Sequence, residues 1–300
     1  MSKIKYQDIN MRDSTLELIS AALAIISEYT SAGFRLTVRQ LFYQFVARDK
    51  LPNTERSYKN LGKAISKGRL AGLIPWDAIE DRTRYVRSND SWESTSDLVR
   101  SAARWWNFDK WSRQNNYVEV WIEKDALIGV IENICSSYDV PFFSCRGYGS
   151  QSALWEAAQR LGQQETHGKN TFVLHLGDHD PSGIDMTRDI EERLRLFTAD
   201  TEVRRLALNM PQIREINPPP NPSKTTDPRS TGYIDTFGPS SWELDALDPR
   251  YMEELIESEL GDLIDPYLWD EDLQYQEEQR EKLMKVSQNW QRVEDFVATL

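Results

Sequence analysis

The residues best suited to chemistry are acids that terminate apolar runs. Val118 to Ile122 ends in Glu123-Lys124-Asp125, and Phe172 to Leu176 ends in Gly177-Asp178-His179-Asp180-Pro181-Ser182-Gly183. An apolar run that stops in this way reads as a buried strand with acids at its carboxyl end. Open parallel sheets bind ligands at that edge. Glu123, Asp178 and Asp180 would then share one crevice, and clustered carboxylates beside a phosphate substrate are the usual way to hold a hard cation such as Mg²⁺. The competing reading is that each acid caps the helix that follows it. Mutually repelling carboxylates in one place favour the cation.

A second group lies upstream. Thr37-Val38-Arg39-Gln40 reads as a capping box, with Leu36 and Leu41 as a hydrophobic staple, so a helix starts at Val38. Val38, Leu41, Phe42, Phe45 and Val46 fall on one face at helical spacing. Arg39 and Tyr43, four residues apart, fall outside that stripe, as does Lys50. The tyrosine is therefore either a hydroxyl offered to a substrate beside a guanidinium or a boundary ring stacked on Arg39. In the next helical pattern, from Asn53 to Leu70, Arg56, Lys59, Lys63 and Lys67 align on one face and Tyr58, Leu61 and Ile65 on the other. Such a stripe can neutralise duplex phosphates, or it can simply be a solvated face.

These motifs together resemble a known family. A lone Glu after one strand and Asp-x-Asp after a later one is similar to the Toprim domain of topoisomerases, primases and related nucleases. Glu123-Lys124-Asp125-Ala126 and Asp178-His179-Asp180-Pro181-Ser182-Gly183 most resemble the A subunit of topoisomerase VI and the related meiotic double-strand-break protein. Arg39-Gln40-Leu41-Phe42-Tyr43 matches that family's Arg-x-x-(Phe/Tyr)-Tyr. The resemblance covers roughly residues 14 to 200. It implies an α/β protein in which a helical winged-helix-like domain is followed by a Toprim domain with a mostly parallel sheet. It also implies Tyr43 as the nucleophile forming a 5′-phosphotyrosyl link, Arg39 as its catalytic partner, and Mg²⁺ on Glu123, Asp178 and Asp180. The implied partners are duplex DNA, a second copy of the chain and a separate GHKL-type ATPase B subunit. In the family, one copy's tyrosine works with the other's metal site. A Toprim nuclease using metal-activated water and a non-catalytic DNA-binding assembly factor are the alternatives.

Composition bounds these readings. The chain of 300 residues is 39% hydrophobic with a net charge of −12, which excludes indiscriminate nucleic-acid binding but not a basic channel. Gly33 to Arg113 contains 16 Lys+Arg against 9 Asp+Glu, so the basic residues are concentrated there. Cys135 and Cys145 form no disulfide framework and suggest a reducing, cytoplasmic setting, at the nucleoid in a prokaryote. Leu18 to Ile26 is too short for a membrane span, and Ser14-x-x-Glu17 marks it as a capped helix.

The elements that must position the candidates are helices over 14–32, 38–49 and 54–71, then alternation of strands (117–122, 140–145, 171–176) and helices (124–137, 150–162, 184–197). Arg204 to Met210 is a fourth strand. This gives two domains, 1–113 and 114–300, with residues 72–116 forming a wing and a junction in which Trp92, Trp105, Trp106 and Trp111 pack. Residues 217–238 read as a long irregular segment, and the tail from 271 as a helical oligomerisation element. Glu243 and Asp245 read as a helix cap ahead of a further metal ligand, and Asp185 as an outer ligand. His175 and His179 are separated by a strand end and make no zinc pair. Gly147 to Ser150 reads as a tight connection. No P-loop occurs.

Overall fold

The computed structural model describes residues 3–79, 89–145, 151–197, 199–222 and 227–300. It is an α/β structure with twelve α-helices and a four-stranded parallel sheet among those residues. No helix there is long and apolar enough to cross a membrane.

Three helices begin the chain: α1 (Asp13–Ser31), α2 (Val38–Ala47) and α3 (Glu55–Leu70). α1 buries Ile19, Ala22, Ile25, Ile26 and Tyr29 at helical spacing. It starts one residue before Ser14, with Arg12 at the N-cap and no side-chain cap, so the expected Ser14 box is absent. The box on α2 is present: the Gln40 amide donates to Thr37 Oγ1 at 3.2 Å and the Thr37 amide to Gln40 Oε1 at 2.9 Å. Thr54 caps α3. Ala246, from far along the chain, completes this core, and the Tyr29 hydroxyl donates to Asp248 Oδ2 at 2.7 Å.

The expected wing does not appear among the described residues, and 80–88 lie outside them. A 3-10 turn (Trp76–Ala78) and α4 (Thr95–Trp105) occupy the described parts of that stretch. α4 packs against α11 (Pro266–Gln288), through Ser96 Oγ to the Ser287 carbonyl at 2.8 Å. Arg280 Nε donates to the Trp106 carbonyl at 2.9 Å, and Arg113 bridges Glu271 and Asp272. The start of the tail is thus committed to α4 within one chain. Of the four tryptophans, Trp111 is buried against Trp269 and Trp106 packs on Tyr275, while Trp105 and Trp92 are exposed.

The sheet consists of β1 (Asn116–Ile122), β2 (Phe142–Ser144), β3 (Asn170–Leu176) and β4 (Glu202–Ala207), in the order β2-β1-β3-β4, all parallel. Both faces are covered, which is why the central strands β1 and β3 are largely apolar. Val118, Val120, Ile122, Phe172, Leu174 and Leu176 face α5 (Ile128–Ser137) and α10 (Pro249–Leu263). Trp121 and Val173, on the alternate side, face α6 (Gln151–Thr166) and α7 (Pro181–Leu196). The fourth strand ends earlier than the sequence suggests, because Asn209 and Gln212 form a capping box for α8 (Met210–Ile216).

The segment expected to be irregular is partly ordered. β5 (Asn221–Pro222) pairs antiparallel with β6 (Ser240–Ser241), and α9 (Ser230–Phe237) lies between them. α12 (Trp290–Val297) ends the chain. Cys135 and Cys145 are free and buried.

Candidate active site

Parallel pairing of β1 with β3 brings Ile122 opposite Leu176, so the residues that follow each strand meet. The Glu123 amide donates to the Leu176 carbonyl at 2.9 Å, and Glu123 Oε2 accepts from the Asp178 amide at 2.8 Å. Asp180 caps α7, its Oδ1 accepting from the Gly183 amide at 2.7 Å. The capping alternative therefore holds for Asp180, whereas Glu123 and Asp178 have other partners. Glycine is needed at position 183, where a β-carbon would lie 2.2 Å from the Asp178 carbonyl oxygen; one on Gly177 would crowd Glu123 Oε2 at 3.1 Å.

Behind the loop, the largely buried Arg205 of β4 donates to the carbonyls of Gly177 (3.1 Å), Asp178 (2.5 Å) and Gly183 (2.8 Å). Burial and the neighbouring Asp178 and Asp180 charges raise the Glu123 pKa. Burial likewise raises that of Asp178, against the Lys124 ammonium and the Leu244 amide. Lys124 Nζ lies 2.8 Å from Asp178 Oδ1, 2.7 Å from Asp245 Oδ2 and 3.2 Å from Glu243 Oε2. Burial disfavours this ammonium, but the three carboxylates outweigh it and hold it charged.

Among the described residues, no three His, Cys, Asp or Glu side chains stand as a ready ligand set. The donor chemistry still fits a hard cation, because Asp178 and Asp180 are close enough to raise the cost of ionising Glu123 and the three offer only carboxylate oxygens.

Tyr43 requires a correction. It is only 3% exposed, with the whole run Gln40 to Phe45 buried, although its position outside the apolar stripe predicts an open hydroxyl. A stripe argument assumes one covered face, whereas α2 is covered twice: by α1 and α3, and by Asn221 with the residues from Glu243 to Ala246. The hydroxyl accepts from Asn221 Nδ2 at 3.2 Å. Burial and the Glu243 charge raise its pKa, opposed by Asn221 and Arg39. Arg39 is not stacked free on the ring, since its guanidinium pairs with Glu243 and approaches Asp245 at 3.7 Å.

Glu243 and Asp245 provide a second correction. Glu243 precedes the 3-10 turn Leu244–Ala246 without capping it by side chain and Asp245 lies within it; the two tie Arg39 to Lys124. Asp245 is buried with Oδ1 unsatisfied. Asp185 is engaged by Arg188 and Arg229. His175 Nδ1 meets Thr187 and His179 Nδ1 meets Tyr233, so the two imidazoles serve separate contacts. Gly147 to Ser150 lie outside the described residues.

A cavity of about 300 Å³ joins the groups: Arg39, Tyr43, Asp178, Asp180, Asn221 and Glu243 all line it. Thr54, Glu55 and Tyr58 line its other wall, so α3 starts beside it. Arg56, Lys59, Lys63 and Lys67 are exposed along α3, and Lys59 pairs with Glu55 at 2.6 Å. Pattern reading misses Asn221 and Arg205 entirely. The Pro-rich run around Asn221 signals a constrained segment but not its destination. No family model matches the chain, and no curated protein is significantly similar to it.

Proposed function

We propose that this chain cleaves duplex DNA by tyrosine transesterification, as an enzyme like the topoisomerase VI A subunit. In this reading α1 to α3 act as the winged-helix-like part and the sheet with its helices as the Toprim part. The observation that carries it is the shared cavity: a tyrosine hydroxyl, a guanidinium and two strand-end carboxylates converge there. Arg56, Lys59, Lys63 and Lys67 on α3 contact the phosphates of the duplex leading into it. A second copy supplies the opposite-strand cut, and a GHKL-type ATPase B subunit supplies any strand passage.

In the reaction, Tyr43 Oη forms a bond to phosphorus while the bond from phosphorus to the 3′ oxygen breaks. The phenolic proton leaves toward Glu243, and the departing 3′ oxygen keeps the bonding electron pair and takes up a proton. Arg39, released from Glu243 by the incoming phosphate, stabilises charge on the equatorial oxygens. Glu123, Asp178 and Asp180 would hold Mg²⁺, which when bound neutralises phosphate charge. Lys124 keeps Asp178 ionised and in place.

The burial of Tyr43 supports a second reading, hydrolysis by metal-activated water with Tyr43 as a structural ring, because desolvation disfavours its phenolate. End-labelled duplex DNA incubated with the protein and Mg²⁺, then denatured, separates the two. Protein attached to 5′ ends, absent in Tyr43→Phe and Asp178→Ala, is the expected result. Free ends that need Asp178 but not Tyr43 would establish the hydrolytic reading. Uncut DNA, bound by the protein, would leave an assembly role.

A further inference from the structure

Asn221 lies in the Pro-rich stretch that the cleavage chemistry above does not use, yet its side chain is fixed from several directions. Its Oδ1 accepts from Asn53 Nδ2 at 2.9 Å, and Asn53 Nδ2 also reaches the Pro220 carbonyl at 3.1 Å. These bonds tie the segment to the turn before α3. The backbone of Asn221 pairs with Ser241, and the neighbouring Trp242 pairs with His179, in the middle of the acidic loop. With its carbonyl committed to Asn53, the amide nitrogen must point the other way. It does so between Tyr43 Oη, at 3.2 Å, and Glu243 Oε1, at 3.4 Å.

From this geometry we infer that Asn221 is a positioning residue for Tyr43, holding the phenol oxygen over the cavity and donating to it as negative charge develops. The inference rests on the transesterification reading. An amide donor to a neutral phenol oxygen is an ordinary hydrogen bond, whereas to an oxygen gaining charge it is charge-assisted and roughly twice as strong. The difference is realised as the phenolic proton leaves for Glu243, before the new bond to phosphorus draws charge off the oxygen, so it favours the attacking form without improving DNA binding.

The test compares single-turnover 5′-adduct formation with duplex affinity measured without Mg²⁺, in wild type, Asn221→Ala and Asn221→Asp. Asn221→Asp has nearly the same shape and keeps the acceptor that Asn53 uses, but presents an oxygen where the donor stood. Adduct formation is expected to fall about tenfold in Asn221→Ala and further in Asn221→Asp, with duplex affinity within about twofold of wild type. Equal rates in wild type and Asn221→Ala would overturn the inference. So would parallel losses of rate and affinity, which mean that the segment merely supports the fold. Absence of an adduct in the wild type itself would instead sink the transesterification reading, so the two failures are distinguishable.

Discussion

Glu123 and Asp178 stand at the ends of adjacent strands with apolar cores on both faces and Arg205 clamped behind them, whereas the Tyr43 ring is buried in the core of α1 to α3 and its hydroxyl meets Asn221, which a two-residue ladder and amide contacts hold. On one side strand pairing and burial fix the acids; on the other the ring is buried but its hydroxyl is fixed by polar contacts. The first is expensive to disturb and locally encoded. The second is cheap to disturb and depends on residues far away in the chain.

The sharpest way to break the comparison is to ask whether both sides belong to one molecule. Tyr43→Phe and Asp178→Ala chains, co-expressed with different tags and purified as a mixed assembly, are expected to give no 5′ adduct, because every chain lacks one side of its own cavity. A restored adduct would mean that the tyrosine of one copy meets the acids of another. Next in size is the rigid side. Trp121 is fully buried and donates to Glu119 Oε2 at 2.9 Å, so Trp121→Ala should cost about 3–5 kcal/mol in urea unfolding.

Acid should reach the same side. Burial lowers His175 to about 3 and His179 to about 4, both below the ordinary imidazole value. At these two sites the unfolded chain binds protons that the folded one refuses, so their contribution to stability falls as pH drops below about 6.5, by roughly 1–2 kcal/mol per histidine at pH 5, opposed by Glu123 and Asp178, whose raised pKa values favour the folded state as they take up protons. Urea midpoints at pH 7 and pH 5, with His179→Gln beside the wild type, measure that slope; a variant as acid-sensitive as wild type would remove His179 from the account.

The polar side predicts smaller changes. Glu243→Gln frees Arg39 from a competing carboxylate, so duplex affinity should rise about threefold to tenfold at low salt, with a steeper salt dependence. Filter binding across a salt series reads both. Asn53→Ala should cost only about 1 kcal/mol, since it removes exposed or half-buried hydrogen bonds to Pro220 and Asn221.

What was legible in the sequence divides along the same line. Strand ends at Ile122 and Leu176, the parallel alternation and the Thr37–Gln40 box are local patterns, and they appear where periodicity and capping place them. That alternation places Glu123 and Asp178 at one edge of the sheet, but their meeting also needs β1 to lie beside β3, with β2 outside. The burial of Tyr43 does not, because helical periodicity records how many apolar residues a helix carries and not how many neighbours arrive later. Glu243 and Asp245 were visible as acids, but only the tertiary fold shows that they bridge Arg39 and Lys124. Asn221 carried no signal beyond its prolines.

Ala246 sits in the core of α1 to α3, and Asp248 accepts from Tyr29. During synthesis those helices emerge first, but the residues that seal them come from the ribosome only after the whole sheet has been made. A nascent chain thus carries its tyrosine uncovered and its acids without Glu243 or Asp245 opposite. The cavity closes only once Glu243 and Asp245 have been made, and a chain truncated before residue 240 would lack the wall on which Arg39, Lys124 and Tyr43 depend.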